Sequence, residues 1–146
     1  MSYVTSFDHV GITVADLDAA TAFFVALGLE VEGSMEMEGE FVDDVIGIAN
    51  SRSKIVYMRA PDGGAGIELS SFITPDHVTG SANPMSNEVG VRNVCFEVND
   101  IKGAVDELAA MGYGLVGVIG HMENAWKMTY VRGPEGIIVA LAERLG

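Results

Sequence analysis

Residues 7–33, FDHVGITVADLDAATAFFVALGLEVEG, align without a gap on residues 91–117, VRNVCFEVNDIKGAVDELAAMGYGLVG, 84 positions further along. Within that frame Val10 meets Val94, Val14 meets Val98, Asp16 meets Asp100, Gly28 meets Gly112 and Gly33 meets Gly117. These are the positions that shape a strand, start a helix, stop it and turn the chain. The chain therefore reads as two copies of one unit. The copies differ where chemistry would sit, because His9 in the first falls on Asn93 in the second.

Each copy opens with period-2 alternation. Val10, Ile12 and Val14 share one face of a strand while His9, Gly11 and Thr13 share the other. Asp16 is a suitable N-cap for a helix carrying Leu17, Ala20, Phe23, Phe24 and Leu27, which ends at Gly28. The second copy repeats this with a strand over 91–98, a cap at Asp100, apolar Ile101, Val105 and Leu108, and a stop at Gly112. Further strands are predicted near 29–35, 54–60 and 66–72, then near 114–119, 126–132 and 137–142. Turns fall at Pro61-Asp62-Gly63 and Gly133-Pro134-Glu135-Gly136. Phe41, Val42, Val45 and Ile46 suggest a short extra helix within 38–52. The fold class is α+β: two βαβββ modules, 1–72 and 91–146, in one domain, joined by a linker over 73–90 rich in Gly, Pro, Ser and Asn.

The 146 residues carry 21 acidic against 8 basic side chains, a formal net charge of −13. That balance opposes binding to nucleic acid or to an anionic membrane surface, both of which reward clustered Lys and Arg. The single cysteine, Cys95, cannot form an intrachain disulfide, which points to a reducing cytoplasm. No apolar run spans a bilayer, and residues 1–6 lack the pattern of a secretory leader.

Alternation turns this outline into a candidate site. If the apolar faces pack under the helices, the opposite faces carry His9 and Thr13, then Asn93, Cys95 and Glu97. On the last strands Glu68 and Ser70 face away from the helices, as does Ala140 in the second copy. Curved mixed sheets with helices outside would then enclose a central cavity lined by His9, Glu68, Asn93 and the neighbourhood of Ala140.

The string DHVGITVADLDAATAFFVALGLEVEG, the Ile-Glu-Leu around Glu68 and the closing RGPEGIIVALAE resemble the vicinal oxygen chelate superfamily of glyoxalases, bleomycin and fosfomycin resistance proteins and extradiol dioxygenases. The resemblance implies paired modules around a pocket for a small-molecule substrate, often completed in a homodimer. It also implies one divalent metal ion, and no organic cofactor, held by residues on the first and last strands of both modules. His9 and Glu68 fill the first module's ligand positions, whereas Asn93 is a poor ligand and Ala140 none at all.

His9 and Glu68 are thus the catalytic and metal-ligating candidates, and His121 and Glu123 are the groups that could complete a metal site. Asn93, Trp126, Tyr130 and Arg132 are candidates for substrate binding: an apolar wall from Trp126, Met128 and Tyr130, and a cation from Arg132 for an anionic substrate. Three functions fit these residues. A metal bound through His9, Glu68 and a third group would serve as a Lewis acid in a lyase, isomerase or dioxygenase. A metal-free enzyme would use His9 as a base oriented by Glu68. A non-catalytic binder or resistance protein would only sequester its ligand.

Overall fold

The computed structural model describes residues 2–146. They form two compact units, one ending at Thr79 and the other spanning Gly80–Gly146. Each unit contains one four-stranded mixed sheet, there are three helices among the described residues, and neither sheet closes into a barrel. No described helix is long and apolar enough to cross a membrane.

In the first unit the elements are β1 (His9–Thr13), α1 (Leu17–Leu27), β2 (Glu30–Glu38), α2 (Glu40–Ile46), β3 (Arg52–Arg59) and β4 (Gly66–Thr74). The sheet order is β1-β4-β3-β2, with β1 parallel to β4 and the other pairs antiparallel. The parallel pair follows from the long excursion through α1, β2 and β3 that separates β1 from β4. α1 starts where the Asp16 carboxylate accepts the Ala19 N–H at 3.0 Å, and stops at Gly28, whose φ of +114° suits a residue without a β-carbon. Its buried face presents Ala20, Phe23 and Phe24, and these join Met58, Ile67 and Leu69 in the core. β2, at the sheet's edge, carries Glu30, Glu32, Glu36 and Glu38, all exposed. Arg59 pairs with Glu32 at 2.7 Å and Arg52 with Glu36 at 2.8 Å across the β2–β3 ladder.

The second unit contains β5 (Asn93–Glu97), α3 (Ile101–Ala110), β6 (Gly120–Met122), β7 (Trp126–Arg132) and β8 (Ile138–Arg144), in sheet order β5-β8-β7-β6. Asp100 caps α3 through the Gly103 N–H at 3.0 Å. Ile101, Leu108, Val131, Ile138, Val139 and Leu141 form its core.

Two expectations are corrected. The strand near 114–119 is reduced to a single bridge between Leu115 and Val131, and β6 begins only at Gly120. Gly114 and Gly117 interrupt that stretch, and glycines offer a ladder no side chains to pack. The short extra helix expected within 38–52 forms over Glu40–Ile46 and buries none of its residues, so Phe41 and Val45 project outward. β4 runs on to Thr74, two residues into the stretch read as linker.

Candidate functional site

Alternation places His9 as the sequence suggests: Val10 and Ile12 are half-buried, Val14 is buried, and His9, Gly11 and Thr13 are exposed on the other face. The register sets His9 opposite Gly66 and Gly11 opposite Glu68, so the imidazole and the Glu68 carboxylate share one face. His9 Nε2 lies 3.5 Å from Glu68 Oε2, with side-chain exposures of 36% and 32%. Both groups are thus wetted yet partly screened.

On its other side the ring meets a second carboxylate. His9 Nδ1 is 2.7 Å from Asp8 Oδ2, a charge-assisted distance. The bond to His9 is the largest influence on Asp8 and holds its carboxyl below the usual aspartate range. Asp8 is therefore ionised at neutral pH and accepts, which fixes the Nδ1 proton and leaves Nε2 facing Glu68.

Tyr57 and Arg59 extend the cluster from β3. Tyr57 lies opposite Glu68 and Arg59 opposite Gly66, so both side chains share the face of His9. The Tyr57 hydroxyl is 3.2 Å from the Asp8 carbonyl oxygen and 3.3 Å from Asp8 Oδ2, and Arg59 Nη2 donates to it at 3.2 Å. Its ring meets the imidazole edge-on, with centroids 5.6 Å apart. Partial burial, then the charge on Asp8, push the phenol's pKa up, so Tyr57 keeps its proton and donates it toward Asp8.

Sequence reasoning singled out His9 and Glu68 but not Asp8, Tyr57, Arg59 and Gly66, which the structure gathers around them. A signal for two of them was present. Tyr57-Met58-Arg59 recurs as Tyr130-Val131-Arg132 in the second copy, a second repeat beside the one that exposed the strands.

In the second unit Asn93 begins β5, exposed, with its Nδ2 3.5 Å from the Tyr130 hydroxyl. Arg132 is engaged by its own unit, donating to the backbone oxygens of Pro84 and Gly136 and approaching Met85 Sδ. Trp126 carries the Arg144 guanidinium 4.6 Å above its ring. His121 lies on β6, opposite Lys127, while Glu123 occupies a turn at φ +47°, so no continuous strand presents the two together. Ala140, expected on the polar face, is only 2% exposed, and Ile138 and Ala142 on the same face are buried as well. Desolvation raises the Cys95 thiol, which opposes a thiolate nucleophile there.

Two protein donors, His9 Nε2 and Glu68 Oε2, therefore face one another in the first unit. Among the described residues no three His, Cys, Asp or Glu side chains are grouped to hold a metal ion. An open recess of about 1120 Å³ lies at the opposite end of the first sheet, bordered by Glu38, Glu40, Asp43, Asp44 and Arg52. Asp43 there is committed to Asn50 and Ser51, and Arg52 to Glu36, which gives the recess a structural character.

Residues 6–141 match the family model of the Glyoxalase/Bleomycin resistance protein/Dioxygenase superfamily. A glyoxalase family protein from Bacillus cereus is 39% identical, with 99% of this chain and 97% of that one covered and a TM-score of 0.95. The trypanothione-dependent glyoxalase I of Leishmania major is 17% identical, over 96% and 87% of the two chains, with a TM-score of 0.66. A fosfomycin resistance protein from Listeria monocytogenes is 14% identical, over 99% and 95%, with a TM-score of 0.62. These last two share the fold alone. No curated protein matched the chain.

Proposed function

Since the chain belongs to the Glyoxalase/Bleomycin resistance protein/Dioxygenase superfamily, we propose that it is an enzyme moving a proton on a small oxygenated metabolite, with His9 Nε2 as the accepting atom. The observation that carries this reading is the line from Asp8 through the imidazole to Glu68, 2.7 Å on one side and 3.5 Å on the other.

Members of this superfamily commonly use a divalent metal. A catalytic ion is ordinarily held by three protein ligands with one position left open. His9 and Glu68 supply two, and the corresponding positions of the second copy are Asn93 and Ala140, which bring neither imidazole nor carboxylate. The donor set does not fit a resident ion.

The residues suit general acid–base work. Asp8 accepts the Nδ1 proton and so presents Nε2 as the basic atom. Nε2 takes a proton from the carbon next to a substrate carbonyl, and the C–H electron pair moves into the carbonyl to give an enolate. The imidazolium so formed lies between two carboxylates, Asp8 and Glu68, which lower its energy. Returning the proton to the former carbonyl carbon, while the proton of the adjacent hydroxyl passes to the former carbonyl oxygen, completes an isomerisation. Delivering it to a hydroxyl two carbons from the carbonyl carbon, as the enolate pair re-forms the carbonyl and that C–O bond breaks, completes an elimination with loss of water.

The test is exchange in deuterium oxide. A panel of small 2-hydroxyaldehydes and 2-hydroxyketones is incubated with the protein, and loss of the proton beside the carbonyl is followed by NMR. Exchange that disappears in His9→Gln and ignores a chelator supports the proposal. Two results overturn it. One is exchange no faster than in buffer across the panel, with saturable binding pointing instead to a sequestering protein. The other is exchange abolished by chelation, together with near-stoichiometric metal that is lost in His9→Ala and Glu68→Ala.

A further inference from the structure

Gly66 is buried at the start of β4, between His9 on β1 and Arg59 on β3. A β-carbon there would fall 2.6 Å from the Tyr57 hydroxyl and 2.7 Å from two of its ring atoms. The Tyr57 ring therefore occupies the volume a side chain at 66 would take. Tyr57 starts opposite Glu68, yet it leans diagonally across β4 and reaches Asp8, the residue just before β1. The Gly66 backbone N–H joins it there, donating to the Asp8 carbonyl oxygen at 2.8 Å.

We infer that Gly66 and Tyr57 are positioning residues for the His9 imidazole: the bare α-carbon of Gly66 admits the Tyr57 ring, whose hydroxyl holds Asp8 against Nδ1. The inference rests on His9 being the reacting group proposed above.

The second unit provides an internal comparison. Its register sets Tyr130 opposite Ala140 and Arg132 opposite Ile138, as Tyr57 and Arg59 stand opposite Glu68 and Gly66. The tyrosine and the arginine are thus present in both copies. What differs is the rest: Asn93 for His9, Arg92 for Asp8, Ile138 for Gly66 and Ala140 for Glu68. Where a side chain stands at the glycine position and no carboxylate precedes the first strand, the tyrosine hydroxyl stays at 3.5 Å from the Asn93 amide. The glycine and the aspartate occur in the copy that holds the histidine. A tyrosine needed only for packing would require the glycine but would have no use for the aspartate.

The ring's protonation pattern reports this arrangement without any substrate. In ¹⁵N-labelled protein in alkaline buffer, the three histidines are resolved by long-range ¹H–¹⁵N NMR and His9 is identified by its loss in His9→Gln. The wild-type ring is expected to carry its proton on Nδ1, with a protected, downfield N–H resonance. Tyr57→Phe keeps the ring and removes the hydroxyl; it should lose that resonance and show both tautomers, as should Gly66→Ala, which displaces the ring. Tyr130→Phe should leave His9 unchanged. A Nδ1 signal in Tyr57→Phe identical to wild type overturns the inference, and that variant decides alone if Gly66→Ala does not fold. Failure of the proposed activity shows separately, as absent deuterium exchange with the His9 tautomer intact.

Discussion

Glu143 on β8 accepts the backbone N–H of Ile101 at 2.7 Å, so the last strand of the second unit caps the first turn of α3. This bond ties residues 42 positions apart and complements the Asp100 cap. Removing a helix cap typically costs about 1 kcal/mol. Glu143→Ala should lower unfolding free energy by about that amount in a urea titration. Lys127→Ala, whose ammonium lies 4.0 Å from Glu143 and is partly exposed, should change little by comparison.

Phe23 and Phe24 meet edge to face with centroids 5.2 Å apart, and both are fully buried on α1. Truncation there leaves a void the sheet cannot close. Phe24→Ala is expected to cost about 3–5 kcal/mol, read as a lower urea midpoint with an unchanged slope. Val25, the next residue, is 48% exposed, and Val25→Ala should stay well under that cost.

The loop after α2 should loosen in acid. Asp43 accepts the Ser51 hydroxyl at 2.6 Å, the Ser51 N–H at 2.9 Å and the Asn50 N–H at 2.8 Å. The Ser51 hydroxyl, then the backbone donors, hold its pKa below the ordinary 3.8. With the folded value below the unfolded one, the contribution is complete above the unfolded pKa. It disappears as pH falls through the folded pKa. Hydrogen exchange at Asn50 and Ser51 should therefore show protection near neutrality that fades in strong acid. In Asp43→Asn the same amides should be less protected at neutral pH.

His9 is partly exposed, so replacing it should hardly affect stability while reducing turnover sharply. General acid–base catalysis is ordinarily worth about 10²–10⁴-fold. His9→Ala is expected to lose a factor in that range in the deuterium-exchange assay, with its urea midpoint unchanged. Asp8→Asn, which keeps the imidazole but removes its anionic partner, should lose less.

Local periodicity made part of this site legible and sequence separation hid the rest. His9 and Glu68 could be placed because each lies on a strand whose alternate residues are Val, Ile or Leu, and a period of two fixes which way they point. Asp8, Tyr57 and Gly66 belong to the site through register, which assigns Glu68 to Gly11 on one side and to Tyr57 on the other. No one-dimensional pattern states that alignment; turn lengths and the packing of α1 decide it. The stretch at 114–119 misled for a local reason, since Val116, Val118 and Ile119 favour a strand while Gly114 and Gly117 weaken it. His121 and Glu123 share a face only on extended chain, and the turn at Glu123 ends that geometry.

The glutamates of β2 have a consequence for what the first sheet will accept as a neighbour. An outermost strand displays unpaired backbone groups, which invite a matching segment from another molecule to extend the ladder. Any second β2 aligned there would bring Glu30, Glu32, Glu36 and Glu38 against their own copies, while Arg52 and Arg59 are already engaged within the sheet. The repulsion guards the molecule against growing, strand by strand, into a fibre.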